Sequence, residues 1–263
     1  MPLNAGGNST VWTENLVIRS FDVDFKHSAR LESLCGYFVE AAWNHAEELG
    51  VGFRHLAKEE QYWVLSRMVV EIETYPGWGG EVKLVTWARG ASSIFALRDF
   101  EMFDSGGRRL LGGASAWLVL DAHTRRPQRI EKLSASIQSL PDRKALSQDP
   151  QKLPALEKVD AAVEVTARYS SIDVNNHVNS ARYIGWILDS YPMEFLRQYY
   201  VRRFEVNYLG ETLAEQSVSV STRAISSNAF LHSLAKSNSQ EVCRARVLWC
   251  KADETEKPRR NIA

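Results

Sequence analysis

The chain has 263 residues, 44% hydrophobic and 24% charged, with 32 basic side chains balanced by 32 acidic ones. That length suits one large domain or two modest ones, and zero net charge excludes a general nucleic-acid binder, which shows a basic excess. No run of about 18 apolar residues is present to cross a membrane.

Residues 1–10 read as a loose leader without signal or transit character, so the cytoplasm is the expected location. Three cysteines, Cys35, Cys243 and Cys250, make neither a disulfide framework nor a CxxC pair, in keeping with a reducing compartment. Val11 to Phe25 reads as a strand running into a polar crossing. Ala29 to Leu49 then carries Leu31, Leu34, Phe38, Ala41, Ala42, His45 and Leu49 at helical spacing. Gly50 and Gly52 can end that helix, and His45 reads as core or pocket lining. Strands follow at Tyr62 to Thr74 and Glu81 to Arg89, joined by the turn at Tyr75 to Gly80. Ser93 to Asp104 and Arg109 to Asp121 flank a Ser-Gly-Gly hairpin turn. From Glu131 to Asp160 the apolar period fades, and Pro141, Pro150 and Pro154 punctuate a polar linker. Further strands are expected at Ala162 to Tyr169, Arg203 to Leu209, Gln216 to Ala224, Ala229 to Lys236 and Glu241 to Lys251.

Between the first two of these lies the most informative stretch, YSSIDVNNHVNSARYIGWILDSY at Tyr169 to Tyr191. Its second half is apolar on nearly every side, the mark of a buried helix. Asn179 or Ser180 can cap it. Asp173, Asn175, Asn176 and His177 therefore gather where free N–H groups and the positive end of a helix dipole suit a developing oxyanion. Asp, Asn and Ser also gather before helices simply to cap them. His177 favours a site, because a cap does not need it.

The order strand, helix, meander occurs twice. Asp22 to Arg30 also lies against Asp173 to Arg182 in faintly similar letters, with Asp22 on Asp173 and one gap. Duplication predicts an α+β double hot-dog fold: two tandem units, each an antiparallel sheet wrapped around a central helix. The units are placed at 11–130 and 161–252, with 131–160 as linker and a single active site in the second unit.

DVNNHVNSARYIGWILDSYP closely resembles the signature of the acyl-acyl carrier protein thioesterases of plants and bacteria. ETYPGWGGEVKLVTW, the RDF at Arg98 to Phe100, ASAWLVLDAHTRRPQRI and WNHAEELG resemble further blocks in family order. The resemblance implies hydrolysis of a fatty acyl thioester on acyl carrier protein during fatty acid biosynthesis. Its catalytic Asp, Asn and His fall on Asp173, Asn175 and His177. An ungapped register puts its glutamate on Glu211 and a plant cysteine on Thr212; a gapped register would leave no glutamate there. The threonine argues against a Cys-His mechanism.

On that resemblance Glu211 and His177 would activate water. Asn175 and the helix N-terminus would hold the carbonyl while Asp173 positions its neighbours; direct attack by Asp173 through an anhydride stays open. The tail pocket would lie in the first unit, with Phe38, Trp43, Met68, Trp78 and Trp87 as candidate lining. Arg125, Arg126, Arg129 and Lys132, or Arg202 and Arg203, would dock an acidic carrier protein. A homodimer is compatible with the chain. No metal-ligand spacing, phosphate-binding glycine loop or GxSxG elbow occurs, so no metal or other cofactor is expected. Three rivals stand beside this reading. An acyl-CoA thioesterase keeps the chemistry, a non-catalytic acyl or carrier binder drops it, and a double hot-dog hydratase would want a proline and one more residue between Asp and His.

Overall fold

The computed structural model describes residues 10–130, 133 and 137–252. Lys132 and most of the leader lie outside them. Ten strands form a single antiparallel sheet: β1 (Val11–Val17), β2 (Gln61–Ile72), β3 (Glu81–Ser92), β4 (Phe95–Asp104), β5 (Arg109–Asp121), β6 (Ala161–Thr166), β7 (Tyr199–Tyr208), β8 (Ser217–Ala224), β9 (Ala229–Lys236) and β10 (Glu241–Lys251). Their order is β1-β3-β4-β5-β2-β7-β10-β9-β8-β6. Exchanging β1 to β5 with β6, β7, β8, β9 and β10 in turn reverses this order onto itself, so the two halves are related as a two-fold pair. Their seam is the β2–β7 ladder, which runs from Arg67 opposite Asn207 to Glu71 opposite Arg203.

Two long helices, α1 (Leu31–Glu48) and α3 (Ser180–Asp189), cover one face; two short ones, α2 (Phe53–Leu56) and α4 (Met193–Gln198), follow them. In α1 the buried positions are Leu31, Leu34, Cys35, Phe38, Ala41, Ala42 and His45, the i, i+3, i+4 stripe that a sheet-covering helix needs. Helix α3 is less apolar than its letters suggest: Tyr183, Ile184, Trp186 and Ile187 are buried, whereas Arg182 and Asp189 are exposed. The two helices meet at Gly185, where a Cβ would overlap the Glu32 carboxylate.

Alternation along the strands sends Met68 and Val70 into the main core under the helices, while Val69 joins Val85, Trp87, Ala114, Ala145 and Leu146 on the opposite face. Ala145 and Leu146 belong to the segment read as a linker. It is docked rather than loose. The Ala145 N–H donates to Asp99 Oδ2 (2.8 Å), and the Ala145 carbonyl accepts from Arg109 Nη2 (2.7 Å). Trp87 Nε1 donates to the Arg143 carbonyl at 2.9 Å. Further on, the Leu153 N–H donates to Asn207 Oδ1 (2.7 Å) and Arg244 Nη1 donates to the Leu153 carbonyl (2.9 Å). From residue 137 to 159 this segment forms no helix or strand, and side chains of the sheet bond its backbone at Ala145 and Leu153.

Candidate active site

The loop before α3 is shaped by its own polar groups. Asp173 Oδ1 accepts the Asn175 N–H (2.9 Å), the Asp173 carbonyl accepts the Asn176 N–H (3.0 Å), and the Asp173 N–H donates to the His177 carbonyl (2.9 Å). Asn176 takes φ 61°, a left-handed conformation that asparagine tolerates. The Val178 N–H donates to the Thr212 carbonyl at 2.8 Å, which ties the loop to the turn after β7. Asn179 is the N-cap of α3, its Oδ1 accepting the Ala181 N–H at 2.9 Å. Capping and site-building thus share one loop.

The first half contains the same loop without the same chemistry. Asp24 Oδ1 accepts the Lys26 N–H (2.8 Å), the Asp24 carbonyl accepts the His27 N–H (3.0 Å), and the Asp24 N–H donates to the Ser28 carbonyl (2.9 Å). His27 has φ 61°, and the Ala29 N–H donates to the Pro76 carbonyl. Matched bond for bond, Asp24 corresponds to Asp173, Lys26 to Asn175, Ser28 to His177 and Tyr75 to Glu211. The letter alignment, which set Asp22 on Asp173, therefore slips: the duplicated feature is the hydrogen-bonded turn, not the side chains. Lys26 Nζ is spent on the Leu196 and Tyr199 carbonyls, both at 2.9 Å.

In the second half, Thr212 pins the loop so that His177 Nε2 lies 3.2 Å from Glu211 Oε2, with the two side chains 25% and 34% exposed. Glu211 also pairs with Arg125, from the turn after β5. Asp173, Asn175, His177, Glu211 and Arg125 all line a cleft of about 1510 Å³. Its walls continue inward between α1 (Val39, Ala42, Trp43) and β2 (Tyr62, Val64, Leu65) toward Trp117 and Arg98. No cysteine lines it. Burial pushes the Cys35 thiol up to about 12 and raises that of Cys243 as well. Thr212 is fully buried, with its side chain against the buried Tyr183 hydroxyl. Burial pushes the Tyr183 phenol up to about 12.

The expected tail-lining residues separate. Trp43 lines the cleft and stacks on Phe53, with ring centroids 6.2 Å apart. The other four do not line it. Phe38 is buried against Phe100 (4.6 Å) and Met68 is buried beneath the helices. Trp87 lies under the docked segment on the far face of the sheet, and Trp78, 60% exposed, borders a small hollow with Phe21. Aromatic letters do not say which face of a strand they occupy relative to a cleft.

Two arginines at the cleft were not read as such. Arg98 Nη1 contacts His45 Nδ1 (2.8 Å) and Thr86 Oγ1 (3.2 Å), and burial lowers its guanidinium to about 10. Arg125, a docking candidate by sequence, instead pairs with Glu211; no sequence signal links it to a glutamate 86 positions away. Of the other basic candidates, Arg202 donates to the Ile72 carbonyl and Arg203 pairs with Glu71 and Glu205. Arg126 and Arg129 are exposed. Among the described residues no group of His, Cys, Asp and Glu is arranged to hold a metal, and no helix is long and apolar enough to cross a membrane.

Residues 9–136 match the model of the acyl-ACP thioesterase N-terminal domain, and residues 155–251 match that of the C-terminal domain. The palmitoyl-acyl carrier protein thioesterase of Gossypium hirsutum is 30% identical over 264 residues, covering 91% of this chain and 63% of that protein, so the chain spans under two thirds of that relative. The oleoyl-acyl carrier protein thioesterase 2 of Arabidopsis thaliana is 28% identical, covering 91% of this chain and 77% of its own length. Among solved structures, an acyl-ACP thioesterase from Bacteroides thetaiotaomicron aligns with a TM-score of 0.83 and 28% identity, over 92% of this chain and 98% of that one. The 12:0-ACP thioesterase from Umbellularia californica, at 24% identity and the same TM-score, shares the fold. With both domain models matched in tandem on one hot-dog sheet, the chain belongs to the acyl-ACP thioesterase family.

Proposed function

We propose that this protein hydrolyses the thioester between a fatty acyl group and acyl carrier protein, releasing free fatty acid during fatty acid biosynthesis in the cytoplasm, as a single chain or a homodimer. The observation that carries this reading is the His177–Glu211 pair at a long apolar cleft. The N-terminal unit, 11–130, holds the tail, and the C-terminal unit, 161–252, supplies the chemistry. At about 1510 Å³ the cleft exceeds the usual 300–1,000 Å³ of small-molecule sites, room that suits an alkyl tail with part of its thiol arm.

Hydrolysis needs a base for water and donors for the oxyanion; a thiol with a pKa near 8.5 leaves without a strong acid. Glu211 and His177 orient the water and take its proton. The Asn175 side chain, with no partner among the described residues, donates to the thioester carbonyl. One Asp173 oxygen is engaged by the Asn175 N–H, which favours a loop-shaping role over nucleophilic attack. Trapping in labelled water under single turnover separates the two, since label entering Asp173 would sink direct hydrolysis.

The test is hydrolysis of matched acyl-acyl carrier protein and acyl-CoA substrates, with release of thiol and acid followed together. His177→Ala and Glu211→Gln are expected to lower kcat by about 10²–10⁴. Preference for acyl-CoA would change the carrier. Acyl binding without turnover on either substrate would make the chain a binding protein.

A further inference from the structure

The turn after β5 belongs to the first half of the chain, yet it reaches the catalytic face of the second. Asp121 holds this turn: its Oδ1 accepts the His123 N–H (3.1 Å), the Thr124 N–H (2.7 Å) and the Thr124 hydroxyl (2.8 Å). The Arg125 N–H donates to the Asp121 carbonyl at 2.9 Å. Arg125 itself has φ 55°, a left-handed conformation uncommon for a long side chain and one that gathers at functional sites. So held, its guanidinium meets Glu211 Oε2, the same oxygen that lies 3.2 Å from His177 Nε2. Glu211 Oε1 has no partner among the described residues. Tyr62 of β2 and Tyr183 of α3 are the other titratable groups near this carboxylate.

We propose that Arg125 is a positioning residue for Glu211, anchoring Oε2 together with His177 so that Oε1 is presented to the attacking water. The inference rests on the hydrolase reading above. As water oxygen bonds to the thioester carbon, its proton passes to Oε1. The C–S bond then breaks and the proton returns to the departing thiolate, so acid and thiol form and Arg125 ends unchanged. A guanidinium suits this task because it fixes direction as well as charge. The arrangement also makes one site out of both halves of the chain, with the base from one half and its anchor from the other.

The test compares wild type, Arg125→Met, Arg125→Lys and Arg125→Ala on acyl-acyl carrier protein and on an acyl-pantetheine thioester lacking both phosphate and protein. Arg125→Met is expected to lose about tenfold or more in kcat on both substrates, with KM changed less than about threefold, the pattern of lost orientation. Arg125→Lys should recover part of the loss, and added guanidinium should partly restore Arg125→Ala. In ¹⁵N-arginine-labelled protein, the Arg125 guanidinium should rotate slowly in wild type and freely in Glu211→Gln. A rise in KM with kcat unchanged, or a loss confined to the carrier-protein substrate, would make Arg125 a docking residue and overturn the proposal. Free rotation in the wild type would overturn it whatever the kinetics. A wild type that hydrolyses neither substrate would instead bring down the hydrolase reading.

Discussion

Thr212 stands where the resemblance places a cysteine, and it is buried and does not line the cleft. The side chain is fully buried against the Tyr183 hydroxyl, and the backbone carbonyl accepts the Val178 N–H. Valine has the same shape without the hydroxyl. Thr212→Val is expected to keep kcat within about threefold and to lower stability by about 1 kcal/mol, since it takes a partner from the buried Tyr183 hydroxyl; a tenfold loss of kcat would mean the hydroxyl acts in the reaction. His232 makes a pH prediction. It is buried, with Tyr191 Oη 2.8 Å from Nε2 and Thr222 Oγ1 3.1 Å from Nδ1, and burial lowers it to about 3. The unfolded chain takes up this proton below about pH 6.5, whereas the folded protein does so only near 3. His232 therefore withdraws stability as pH falls between those values, by about 3 kcal/mol between pH 8 and 4.5. Urea unfolding at both pH values should show a correspondingly smaller loss in His232→Gln. An equal loss in both proteins would refute this account.

At the scale of elements, the 137–154 segment shows how a stretch without periodicity can be rigidly placed. The sheet supplies the donors and acceptors that a helix or strand would otherwise supply, through Arg109, Asp99, Asn207 and Arg244. Arg89 adds pairs to Asp99 (3.0 Å) and Asp149 (2.5 Å). Trp87 is fully buried beneath it. Trp87→Ala is expected to cost about 3–5 kcal/mol of stability while leaving KM for an acyl thioester unchanged. Trp43→Ala, at the cleft, should raise KM with a smaller effect on stability. Denaturant midpoints and steady-state kinetics on the two variants check both; a raised KM in folded Trp87→Ala would place that residue on the substrate path.

For the whole molecule, the two symmetric halves differ in what fills the space that the cleft occupies in the first. The elements that wall the cleft in the first half have counterparts α3, α4, β7, β9 and β10 in the second. There Tyr191, Phe195, Tyr199, Phe230 and Trp249 fill the space, with ring centroids 4.4–6.0 Å apart. Lys26 closes the corresponding mouth through the Leu196 and Tyr199 carbonyls. The register places His232, between Thr222 and Ala245, where the first half has Phe100, between Thr86 and Gly113. Native mass spectrometry with a non-hydrolysable acyl thioether is therefore expected to count one ligand per chain. Two would show that the aromatic filling opens.

The sequence by itself determined the duplicated strand–helix–meander order, the helix register of α1, the presence of α3, and the loop carrying Asp173, Asn175 and His177. Each of these rests on local periodicity or on side chains capping nearby backbone. It also reached Glu211, through the family resemblance and its spacing from β7. Only the tertiary structure decided that Trp87 and Met68 lie away from the cleft, that the apparent linker is docked, and that Arg125 joins Glu211. Those facts depend on which strand faces meet across the sheet and on contacts between residues far apart in the chain. Local pattern fixes a side chain's face within its own element; packing fixes what that face meets.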